Sequence, residues 1–191
     1  MNKTEFVILT ALLMSLVALA VDMLLPALPA LGEEFSLYPA NQAQHVISVV
    51  FLGMVLGKIL FGPLSDAWGR KPAIYLGLLA YIGGAVICYL ATDYSLFILG
   101  RGVQGVGVAA PRIVCVALVR DQFSGREMAR IMSFIMMVFI LVPALAPAMG
   151  QGILMLFDWR MILGVFIATG VVSLFWFALR QPETLPREER R

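Results

Sequence analysis

Six runs of apolar residues, each about 20 residues or longer, divide this chain, and each can carry an α-helix across the hydrocarbon core of a bilayer. They lie at 6–30, 43–63, 73–92, 95–119, 129–155 and 161–179 of the 191 residues. Within lipid a backbone amide must find its partner inside its own segment, so helices are the form these runs can take. Hydrophobic residues make up 61% of the sequence and charged residues 14%, where a soluble domain has nearly half and about a quarter. No aqueous fold of this length could bury so much apolar side chain. The expected fold class is an all-α membrane protein with six transmembrane helices. The first run is read as retained rather than cleaved as a signal peptide, because it is too long, carries Asp22 and is followed by five more.

The charges between the runs give the direction. Lys3, Arg70, Lys71, Arg120, Arg126, Arg130, Arg180, Arg187, Arg190 and Arg191 fall on one side, and Arg160 alone falls on the other, beside Glu33, Glu34, Asp93 and Asp158. The positive-inside rule then puts both termini in the cytoplasm. The first and second triplets of spans run in opposite senses, as an inverted 3+3 repeat requires. Residues 1–180 form the expected six-helix bundle. The polar tail QPETLPREERR, 181–191, reads as the start of a cytoplasmic linker or as a free end.

Several chemistries are not indicated. The formal net charge is +2, and no basic patch interleaved with aromatics points to nucleic acid. Cys88 and Cys115 sit near opposite membrane faces and read as packing residues. His45 is a lone interfacial side chain, and no group of His, Cys and acids has metal-site spacing. No nucleophile–base pair or cofactor fingerprint marks an enzyme: GVQGVG at 102–107 follows no strand and lies inside a span.

Charge inside the apolar runs is the signal for function. Asp22, Lys58, Arg101 and Arg112 each cost about 2.5–3.5 kcal/mol at mid-membrane on insertion scales, so each calls for a partner or a watery cavity. Lys58 is close enough to the inner end of its span to snorkel. At about 1.5 Å per residue, Asp22 and Arg101 reach similar depths, and the pair could meet across a cavity. Arg101 and Arg112 project within about 20° of each other, with Gln104 near the same stripe, and Ser15 shares a face with Asp22. Two readings of the stripe stand open, a structural ion pair with Arg112 near the headgroups or a path for solute or protons; the second is preferred. Gly53 and Gly57 allow close helix approach. Pro143 and Pro147, with Gly150 and Gly152, mark the fifth span as a bent helix that serves as a gate, a packing seam or a kinked bundle helix.

The stretch GPLSDAWGRKP, 62–72, packs Gly62, Asp66, Gly69, Arg70 and Lys71 between two spans and is expected to be a turn pinned at the membrane surface. It resembles the loop between helices 2 and 3 of the major facilitator superfamily. RGVQG at 101–105 is similar to that superfamily's helix 4 motif, and PALAPAMGQG at 143–152 resembles the helix 5 antiporter motif. The last departs at Ala146 and Gln151, where Gly is common. DMLLPALPAL from Asp22, VRD at 119–121, DWR at 158–160 and PETLP at 182–186 narrow the resemblance to the Bcr/CflA-type drug/proton antiporters.

The resemblance implies a half of a twelve-span transporter that exports small amphipathic, drug-like compounds against proton influx through the bacterial inner membrane. The second six-helix half would belong to the same polypeptide or to a dimer partner. It further implies that Arg70 pairs with Asp121, that Asp66 faces a helix start in the other half, and that Asp22 and Arg101 line the central cavity with Asp22 the proton carrier. Lys58 departs from the polar neutral residue common at its position. The competing functions are a nutrient uniporter or symporter of the same superfamily, and a membrane scaffold or inactive remnant that keeps the fold.

Overall fold

The computed structural model describes residues 2–186 and Glu188; the side chains of Ala40 and Asn41 are outside the description. Arg187, Arg190 and Arg191, counted in the charge asymmetry, and with them most of the end of the 181–191 tail, lie outside the described residues. Seven α-helices are present among the described residues: α1 (Lys3–Asp22), α2 (Leu28–Glu34), α3 (His45–Trp68), α4 (Arg70–Leu90), α5 (Tyr94–Gln122), α6 (Gly125–Leu156) and α7 (Arg160–Arg180). Short 3-10 turns occupy Leu25–Ala27 and Ala40–Gln44. With α1 and α2 taken as one broken span, six helical segments are long and apolar enough to cross a membrane. They overlap the six apolar runs and mostly extend past them, because the ends of α3, α5 and α6 continue as polar helix beyond the depth that hydropathy reports, although α4 ends two residues short of its run.

The break in the first span has a local cause. Pro26 has no N–H to give the carbonyl of Asp22, four residues before it, so the α-helical ladder stops at Asp22. Pro29, near the start of α2, fits the first helical turn, where an N–H would go unused.

The connection at 62–72 differs from the expected turn. α3 runs through Gly62, Pro63 and Asp66 to Trp68, and α4 begins at Arg70. The whole joint is Gly69, at φ 110°, a conformation that a side chain would strain. Pro63 is tolerated on an exposed face of α3, where one lost backbone bond bends a helix without ending it.

Around α5 the helices touch backbone to backbone. A Cβ added at Gly57 of α3 would lie 2.5 Å from the Val106 carbonyl oxygen, and one at Gly84 of α4 would lie 2.6 Å from that of Gly100. Gly105 and Gly107 of α5 return the contact, to Val50 of α3 and to Gly77 and Tyr81 of α4. α5 is therefore sandwiched between α3 and α4, with small residues on each seam. α6 packs mainly on α1, and α7 on α4 and α1. Most of α1 and of the apolar stretch of α5 is buried, whereas α3 and α6 expose long apolar faces, including Leu52, Ile59, Ile140 and Leu145.

Both ends of the bundle are tied by charge. At the end carrying the termini, Arg180 donates 2.6 and 2.8 Å bonds to the Glu5 carboxylate, and Lys3 pairs with Glu127. At the other end Arg160 bonds Glu34 at 3.0 Å and lies 4.3 Å over the Trp159 ring. Phe35, Phe97 and Trp159 pack together beneath that pair. Among the described residues Arg160 is the one Lys or Arg on this side, and it is neutralised by Glu34 at the end of α2 and by Asp158.

Candidate functional site

Asp22 is the last residue of α1 and is half-buried. Arg101, on α5, is fully buried, and its guanidinium approaches the same helix end. It does not pair with Asp22: among the described residues no ion pair joins them. Instead Nη2 donates a 2.6 Å bond to the Ala20 carbonyl and Nη1 a 2.5 Å bond to Gln104 Oε1. Arg101 meets α1 two residues before Asp22, and the acceptor it finds there is backbone. A helix end leaves its last carbonyls without intrahelical donors and carries partial negative charge, so a buried cation is stabilised there. The α1 break thus supplies the acceptor, and Arg101 draws α5 against α1.

Behind Arg101 the interior stays polar. Tyr81 of α4 faces Thr169, Arg101 and Gln104. Tyr81 Oη, Arg101 Nε, Gln104 Nε2 and Ser173 Oγ are buried without a hydrogen-bond partner among the described residues. Sequence reasoning missed Tyr81, Thr169 and Ser173; single hydroxyls in α4 and α7 carry no pattern that separates them from packing residues. On α1, Ser15 returns its hydroxyl to the Ala11 carbonyl at 2.7 Å. It lines an apolar groove of about 350 Å³ between α1 and α6, with Leu12, Leu19, Val142 and Leu145.

Arg112 lies deeper along α5, its guanidinium 4.0 Å over the Phe139 ring of α6. Lys58 is exposed on α3. On α6, Pro143 and Pro147 lie within a continuous helix. Gly150 meets the Met23 carbonyl so closely that a Cβ would overlap it. Ala146 is buried beside this contact and Gln151 is exposed, so the two departures from the helix 5 pattern leave the α1–α6 approach intact.

The 62–72 motif gathers around Arg70. Its Nε donates to Asp121 at 3.0 Å, and Nη1 donates to Asp66 at 2.6 Å and to Ser65 at 2.9 Å. Asp66 therefore has a partner within this chain as well. Lys71 Nζ donates to the Ala178 carbonyl at 3.1 Å, which ties α4 to α7. Gly62 lines the cleft beside Asp66, and Gly69 forms the joint.

Glu183 completes this end, and the sequence did not single it out. Its carboxylate accepts the backbone N–H groups of Arg70 and Lys71 at 3.0 Å each, and those of Thr184 and Leu185. It serves as a cap for the start of α4, supplied from after α7. Burial pushes the Glu183 carboxyl up, but the donors from Leu185, Lys71, Arg70 and Thr184 outweigh it and hold the group below the usual carboxylate range. Thr184 also donates to Asp121, so the segment after α7, the end of α5 and the α3–α4 joint share one network.

Residues 10–191 match the family model described as Major Facilitator Superfamily. The chain belongs to this superfamily. Among similar proteins, the bicyclomycin resistance protein homolog of Haemophilus influenzae is 33% identical, over 97% of this chain and 46% of its own length. The multidrug resistance protein MdtL of Citrobacter koseri is 32% identical, over 96% and 47%. A crystal structure of a D-xylose-proton symporter superposes with a TM-score of 0.82 at 16% identity, covering 97% of this chain and 49% of that one. The chain spans about half the length of the curated relatives it matches. The fold is accordingly a six-helix half of the major facilitator architecture, and the protein is an integral, multi-pass membrane protein.

Proposed function

We propose that this chain forms one half of a proton-coupled antiporter exporting small amphipathic compounds, set in the bacterial inner membrane with both termini cytoplasmic. The second six-helix half, from the same polypeptide or from a dimer partner, would close the transport path over the exposed faces of α3 and α6. The observation that carries the reading is Asp22 at the broken end of α1, half-buried, next to the carbonyl that Arg101 holds.

The chemistry follows from that position. A carboxylate at a helix C-terminus meets the negative end of the dipole, and the Arg101 charge offsets the repulsion. Loading a proton onto Asp22 removes its charge and weakens the demand on Arg101, so the hold of α5 on α1 changes with protonation. A conformational equilibrium biased in this way lets proton entry drive a change in access. The groove of Ser15, Leu12, Leu19 and Val142 offers an apolar surface to the uncharged part of a substrate. The names of the two relatives, for bicyclomycin and multidrug resistance, support a drug-like cargo.

The test uses everted vesicles carrying the full-length protein. Substrate-dependent collapse of the proton gradient is expected for the native protein and for Asp22→Glu, and its loss for Asp22→Asn at equal protein level. Export that survives Asp22→Asn removes Asp22 from the role. Substrate accumulating with, rather than against, the proton flux would make the protein a symporter, and no response to any solute would leave a scaffold.

A further inference from the structure

The cleft between α3 and α5 at the end carrying the termini has a volume of about 480 Å³. Three arginines, Arg70, Arg112 and Arg120, line it with two acids, Asp66 and Asp121. Both carboxylates bond to Arg70. Arg112 and Arg120 have no carboxylate partner among the described residues, so three cations against two anions leave the cleft one positive charge in excess. Arg112 stands eight residues before Arg120, about 12 Å further into the bundle, and its Nη1 is buried without a hydrogen-bond partner among the described residues. The Phe139 ring covers one face of the guanidinium and leaves its N–H edge for an acceptor. Ile113 and Val116 form apolar wall beside it.

A half-buried cation stacked on an aromatic ring, in a cleft with one positive charge in excess and with Ile113, Val116 and Ala117 among its lining, is complementary to an anion on an apolar body. We propose that Arg112 is a specificity-determining residue that selects substrates bearing a carboxylate or phosphate on an apolar frame. Arg120 attracts the anion at the mouth of the cleft, and Arg112 takes it deeper. This rests on the transporter reading above and names the substrate class for it.

The probes are 2-naphthoate and its neutral isostere 2-naphthamide, with the purified full-length protein in phosphatidylcholine nanodiscs for binding and everted vesicles for export. Naphthoate is expected to bind more tightly than the amide. Arg112→Gln should weaken naphthoate by about tenfold and leave the amide unchanged, while Arg112→Lys, which keeps the charge, stays within about threefold of native. Equal loss for both probes would make Arg112 a structural residue, and no loss for either would leave it outside recognition; each result overturns the proposal. Adding phosphatidylglycerol separates a lipid source of the anion. Competition with naphthoate that disappears in Arg112→Gln would assign the site to a headgroup and overturn the substrate assignment. Arg112-dependent binding without proton-driven export would sink the transporter reading and keep the site, and export indifferent to Arg112→Gln would do the reverse.

Discussion

Arg101 Nη2 lies 2.6 Å from the carbonyl oxygen of Ala20, so a base in the fourth span closes the broken end of the first. Removing it leaves the Ala20 carbonyl and the Gln104 amide oxygen without this donor in a buried setting. Arg101→Met is therefore expected to lower unfolding stability by about 1–3 kcal/mol, and Arg101→Lys by less, because the charge can still reach one acceptor. Reversible unfolding in mixed micelles measures both.

Two glycines of α6 provide a matched pair. Gly150 meets the Met23 carbonyl, while a Cβ at Gly152 would have open space. Gly150→Ala should cost about 1–3 kcal/mol through overpacking. Gly152→Ala should be neutral or gain up to about 1 kcal/mol from helix propensity. Thermal unfolding in detergent separates the two; equal effects would mean that the α1–α6 approach is loose.

Arg70 divides its bonds between unequal partners. Asp121 has 21% of its side chain exposed and Asp66 has 62%. Asp121→Asn is expected to cost about 1–3 kcal/mol and to resist added salt. Asp66→Asn should cost less than about 1 kcal/mol and be masked by salt. Melting temperatures at low and high ionic strength make the comparison.

The Glu183 cap predicts an acid limb in stability. The folded carboxyl titrates below its unfolded value of 4.5, so its stabilisation is complete above that pH and is lost as pH falls through the lower folded value. Glu183→Gln should flatten this limb and cost about 0.5–2 kcal/mol near neutrality. Unfolding stability of both proteins from pH 7 downward tests it, and an unchanged acid limb would remove Glu183 as its source.

The six spans were legible because a bilayer fixes the length of an apolar helix, and the helical rise put Arg101 near the level of Asp22, two residues from the carbonyl it meets. What the sequence hid was mostly backbone. Arg101 finds a carbonyl instead of the carboxylate its charge suggested, and no side-chain pattern encodes a carbonyl left open at the end of α1. The 62–72 stretch looked like a turn because Gly62 and Pro63 resemble a helix stop. The helix continues because one lost bond on an exposed face is cheap, and the real joint is Gly69. Glu183 escaped notice because its four donors come partly from residues over a hundred positions away. The glycines of α4 were likewise silent until α5 was laid against them.

The seams on either side of α5 have a mechanical consequence. Where backbones touch there is no layer of side chains to repack, so α3, α5 and α4 can only move together. α1 meets α6 differently, through side chains along most of its length and through backbone at Gly150 and Met23. That contact can act as a pivot. Within this half, then, α6 can swing against α1 about a point level with the break that begins after Asp22, while the three-helix slab stays rigid behind it.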